Sequence, residues 1–151
     1  MNIKNMKKLL AHLVRQQKSQ KAARFNMKYW GTPCLGKNDG MSDVLKTPVC
    51  KTQACLAGET VLALNMGKIG QGGGIDLLPE FYGGIGQVAA QALELTPSQR
   101  ESLFAFKSWG HQQFGWPKEF ETAYNAAKTP AKRLGVAIQR VKHFIKTNGA
   151  E

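Results

Sequence analysis

The side chains here that could carry covalent or metal chemistry are few: three cysteines, Cys34, Cys50 and Cys55, and a histidine, His111, set among aromatic residues. Cys55 is expected in the first turn of a helix. There, unpaired backbone N–H groups and the positive end of the helix dipole favour a thiolate. That makes Cys55 the candidate nucleophile and His111 the base that would take its proton. The competing expectation is an inert, buried thiol, because Leu56, Ala57 and the apolar run after them point inward. Thiolate and imidazole also suit zinc, which would recruit Cys34, Cys50, Cys55 and His111. Intervals of 16 and 5 residues between the cysteines, with no C-x-x-C pair, match no finger or ribbon. No metal and no cofactor is therefore expected.

Other chemical motifs fail on context. Gly84-x-Gly86-x-x-Ala89 has dinucleotide-fingerprint spacing, but no buried strand precedes it and no βαβ unit surrounds it. Gly67-Lys68 is followed by Ile69, so there is no phosphate-binding P-loop. Glu59, Asp76 and Glu80 form no recognised carboxylate pair, and no serine nucleophile elbow occurs. The expectation leans away from an enzyme.

The elements that would position these side chains can be read from periodicity. Met6, Leu9, Leu10, Leu13 and Val14 recur at helical intervals between about Asn5 and Gln20, with Lys4, Lys8, Arg15 and Lys18 on the opposite side at 100° per residue. Phe25-Asn26-Met27-Lys28-Tyr29-Trp30 alternates at period two and predicts a short extended anchor. Residues 31–49 carry Gly31, Pro33, Gly36, Gly40 and Pro48 and predict a long loop, a candidate lid. The least polar long segment, Cys50–Asn65, predicts a helix capped by Thr52 and kept slim by Ala54, Ala57 and Gly58, around which the helices beginning near Ile85, Pro97 and Pro130 would pack, with the N-terminal helix packed outside. Gly67–Gly74 reads as an irregular connection. A helix opens at Gly84, and another opens at the capping box Thr96-Pro97-Ser98-Gln99 and carries Leu103, Phe104 and Phe106. Trp116-Pro117 starts a short helix with Phe120 and Tyr124, and Thr129-Pro130 starts the last, ending at Asn148-Gly149. The fold expected is all-α: a single compact domain of about six helices with long Gly/Pro-rich loops. Within residues 1–151 we distinguish a basic N-terminal helix (1–24), an extended anchor and loop (25–49) and a helical core (50–148).

Phe25-x-Met27-x-x-Trp30, Cys50-x-Thr52-x-x-Cys55-x-Ala57-Gly58 and the later Trp116-Pro117-x-x-Phe120 give the chain a resemblance to uncharacterised small bacterial and bacteriophage proteins. Those proteins carry F-x-M-x-x-W and C-G-T-x-x-C-x-A-G motifs, with Lys51 here replacing the usual glycine. The likeness spans about residues 25–145 loosely. It implies a prokaryotic or phage origin and brings no assigned activity.

The net charge of +11 is concentrated at the two ends of the chain. Residues 1–28 hold eight basic residues and no acid, residues 122–150 hold six basic residues and no acid, and residues 29–121 are slightly acidic. Such asymmetry predicts an anionic partner, nucleic acid before a membrane surface. Lys4, Lys8, Arg15, Lys18, Lys132, Arg140 and Lys146 are the candidate contacts, with Tyr29, Trp30, Tyr82, Trp109 and Trp116 as aromatics that could stack on unpaired bases, although most of these, and Trp116 above all at a helix start where a hydrophobic staple belongs, are expected in the core. The alternatives are a small-ligand or protein-binding adaptor, for example a modulator of host defence, with a pocket under the loops 31–49 and 67–74, and the Cys55–His111 enzyme. An odd cysteine count without a secretory signal predicts a reducing, cytoplasmic setting with free thiols. The absence of a long apolar run predicts no membrane insertion.

Overall fold

A computed structural model describes residues 1–19, 25, 27, 55–70, 74–106 and 114–150 of the chain. These build six helices and one small hairpin: α1 (Ile3–Gln17), α2 (Leu56–Ala63), β1 (Gly67–Ile69), β2 (Ile75–Leu77), α3 (Ile85–Ala92), α4 (Pro97–Phe104), α5 (Lys118–Ala126) and α6 (Pro130–Lys146). The architecture is mostly helical, as the periodicity predicts. The hairpin corrects the expectation of an irregular connection at Gly67–Gly74. β1 and β2 pair antiparallel with Gly67 opposite Leu77 and Ile69 opposite Ile75. Three-residue strands are too short for alternation to stand out from a glycine-dense background.

The helix ends follow local chemistry. Asn2 caps α1 by accepting the Asn5 N–H at 3.1 Å. Thr96 and Gln99 close the expected capping box of α4, each side chain taking the other's backbone N–H, at 3.2 and 3.1 Å. Thr129 accepts from Lys132 at the start of α6. Asn65 and Asn148 leave α2 and α6 in the left-handed region, at φ 56° and 53°. α4 stops at Phe104, short of Phe106. Phe106 instead forms a parallel bridge with Trp116, which ties the chain before α5 back onto the end of α4. α2 begins after Cys55, while Thr52, its expected cap, lies outside the described residues.

α2 is the hub that its small residues predict. Every residue from Cys55 to Val61 is buried, and the helix packs against α1, α3, α4 and β1. The last helix is not one of α2's principal neighbours, contrary to expectation; α6 packs instead on α1, α5 and α4. α1 and α6 run antiparallel. Gln17, at the end of α1, donates to the Ala131 carbonyl at the start of α6. At the opposite end, the Asn2 N–H donates to Leu93 O at 2.7 Å and Gln99 reaches Asn148 O at 3.2 Å across the short α3–α4 connection. One apolar core joins Met6, Leu9 and Leu13 of α1 to Leu56, Val61, Val88, Leu103, Phe104, Leu134, Ile138 and Phe144. Phe25 and Met27 enter this core as the period-two anchor predicts, and the Met27 N–H donates to Tyr124 Oη at 2.9 Å.

Candidate functional site

The two basic ends of the chain meet in the fold. α1 has no acidic residue, nor does α6, and the two helices lie side by side. Lys4, Lys8, Arg15 and Lys18 are exposed on or at the end of α1; Lys132 and Lys146 are exposed on α6, joined there by Lys142. Because the helices are antiparallel, Lys18 and Lys132 share one end of the pair and Lys4 and Lys146 the other. None of the six expected contacts among them forms an ion pair with another described residue.

Arg140 leaves the set. Its side chain is fully buried, donating through Nη2 to Ser102 O at 2.7 Å, with the guanidinium 5.2 Å from the Phe144 ring centre and 5.8 Å from that of Phe120. The cause is positional: Ala137, Arg140 and Phe144 follow three- and four-residue steps along the buried face. A cation enclosed by two rings and a carbonyl anchors α6 to α4 and is not available to a ligand.

A second buried polar group fixes α1. Glu59 on α2 is completely buried, and its Oε2 accepts from His12 Nε2 at 2.8 Å and from Gln16 Nε2. A carboxylate oxygen only accepts, so the Nε2 of His12 facing it carries the donated proton. His12 and Gln16 are one helical turn apart on α1, so the pair sets the roll of that helix and turns its lysines outward. Periodicity and motif spacing do not reveal this group. Its signal in the sequence is a histidine and a glutamine at i and i+4 beside an apolar face, matched by one carboxylate in an otherwise apolar helix.

Cys55 is a buried thiol, 1% exposed, at the cap position of α2. Burial pushes it up from 9.0 to about 11, outweighing the opposing effect of the Gly58 and Ala57 backbone N–H groups. The thiolate required of a nucleophile is therefore suppressed at neutral pH, and the expectation of an inert core cysteine holds for Cys55. His111, Cys34 and Cys50 lie outside the described residues, as do Tyr29, Trp30 and Trp109. Among the described residues no three His, Cys, Asp or Glu side chains converge as a metal site.

Trp116 is not a stacking platform. It is fully buried, donates from Nε1 to Leu103 O at 2.8 Å, and packs edge-on to Phe106 and Tyr124 with centroids 5.0 and 5.8 Å away. Tyr82, by contrast, is 83% exposed. Of the two loops expected to roof an adaptor pocket, 31–49 lies outside the described residues and 67–74 begins with the strand β1. No described helix is long and apolar enough to cross a membrane.

Fold and surface together define a mostly helical protein in which two acid-free helices with exposed lysines lie side by side. Comparison of the chain with protein-family models, curated proteins and solved structures gives no match to any of them.

Proposed function

We propose that the chain is a non-enzymatic nucleic-acid-binding protein that meets phosphates with the outer faces of α1 and α6. The observation that carries this reading is the antiparallel packing of two acid-free helices whose exposed lysines have no described carboxylate to satisfy them. Two separated basic segments become one field, and such a field raises both the affinity and the encounter rate for a polyanion. A membrane surface fits less well. Interfacial helices insert an apolar face, whereas Met6, Leu9 and Leu13 of α1 are already buried in the core. The setting proposed is a reducing cytoplasm, and the motif resemblance adds a bacterial or phage origin.

Fluorescence anisotropy with mixed-sequence DNA and RNA at ~50 mM salt tests the reading. Binding that weakens steeply as salt rises is expected. Undetectable binding to both polymers, or binding to anionic vesicles alone, would overturn it.

A further inference from the structure

We infer that the polymer seated on the α1–α6 face is duplex DNA, held by its phosphates without base readout; the inference rests on the nucleic-acid reading above. Three observations select the duplex. The first is what the face lacks. Among the exposed residues of α1 and α6 there is no aromatic side chain. Proteins that hold single strands gain about 1–3 kcal/mol per base by stacking it on an aromatic ring. Without that contribution, charge density decides, and a duplex presents one phosphate charge per ~1.7 Å of axis.

The second observation is size. Lys4 and Lys18 stand at opposite ends of α1, about 21 Å apart at 1.5 Å per residue. Two helices of about 10 Å diameter lying side by side make a plate about 20 Å across. The major groove is about 12 Å wide and admits one helix. A plate that engages both rows of lysines at once therefore lies across the sugar–phosphate backbones and does not enter the groove.

The third is the kind of cation. The exposed cations of the two helices are lysines, apart from Arg15. Lysine is a mobile point charge, lacking the rigid fork with which arginine reads guanine. Duplex RNA is the less suited polymer. Proteins recognise it largely through its 2′-hydroxyls, and the exposed residues of α1 and α6 include no serine or threonine and, as amides, only Gln17 and Gln139.

The test is a set of anisotropy titrations at ~50 mM salt with a short DNA duplex, each of its separated strands, a second duplex of unrelated sequence, and an RNA duplex of matched length. The duplex is expected to bind at least about fivefold more tightly than either strand, and the two DNA duplexes to agree within about fivefold. Lys4→Glu/Lys18→Glu/Lys132→Glu/Lys146→Glu should lower duplex affinity by about 100-fold or more, whereas Lys68→Glu/Lys118→Glu, on other elements, should lower it by less than about tenfold. A smaller preference for the duplex, or a reversed one, would overturn the inference and leave the nucleic-acid reading standing. Discrimination between the two DNA duplexes beyond about fivefold, or RNA binding more tightly than DNA by that margin, would also overturn it. If neither strand nor duplex binds, both the inference and the reading fall.

Discussion

At the scale of single residues, two competing influences meet at Cys55, and burial wins. The helix start offers backbone N–H groups that favour a thiolate, but full enclosure raises the thiol to about 11. Mass-spectrometric mapping after iodoacetamide treatment at neutral pH should find Cys55 modified far more slowly than a free cysteine thiol; equal rates would contradict the assignment. The same burial makes a pH prediction. The folded-state pKa is raised, so the folded protein keeps a proton that the unfolded chain has lost, and stability falls as pH rises from about 9 to about 11. Wild type should lose more stability across that window than Cys55→Ala, as measured by urea midpoints at each pH. Glu59 is the other decisive residue. Glu59→Ala would leave the inward donors of His12 and Gln16 without their acceptor and should cost about 2–4 kcal/mol in chemical denaturation. The sequence showed Cys55 as an apolar-context thiol, but Glu59 lies 47 residues from His12 and 43 from Gln16, and no local pattern joins them. Of the described residues that carry the motif resemblance, Phe25, Met27, Cys55, Ala57, Gly58 and Trp116 are buried and Pro117 and Phe120 are half-buried, so what they specify here is mainly packing.

At the scale of elements, most helices were legible because caps and periodicity act over a few residues. Thr96 and Gln99 form their box, and the buried face of α1 follows the three- and four-residue spacing of Met6, Leu9 and Leu13. Partnership between elements was less legible. α2 was expected to meet the last helix, but α6 lies mainly on α1 and α5, a choice made by side chains far apart in sequence. Arg140 shows the limit of counting charges along a helix, since its position in the three-to-four repeat overrides its charge. Two glycines separate close packing from open tolerance. A Cβ at Gly67 would stand 2.7 Å from Val61 Cγ1 and 2.8 Å from the Asp76 carbonyl oxygen. Gly67→Ala should therefore destabilise the α2–hairpin junction by about 1–3 kcal/mol. At Gly135 the one close atom is Gln17 Nε2, the end of a flexible chain, at 2.8 Å. Gly135→Ala in mid-helix should be neutral or stabilising by up to about 1 kcal/mol. Thermal melts of the two variants check the pair, and matching destabilisation would contradict this packing of the α1–α6 seam.

At the scale of the whole molecule, folding converts a charge asymmetry along the chain into a surface. The sequence could say that residues 1–28 and 122–150 are basic and acid-free, but not that the helices within them would pack side by side. That adjacency comes from the apolar faces of α1 and α6, and the buried tethers of Glu59 and Arg140 set which way the remaining faces point. The central claim is that this shared face binds nucleic acid through its phosphates. Its most direct test is the slope of log affinity against log salt concentration for duplex DNA, compared between wild type and Lys4→Ala/Lys18→Ala/Lys132→Ala/Lys146→Ala. Each phosphate that a lysine no longer neutralises should flatten the slope by about 0.9, so the fourfold variant should bind more weakly with a slope shallower by about 3 to 4. An affinity and a slope unchanged by the four substitutions would contradict the account.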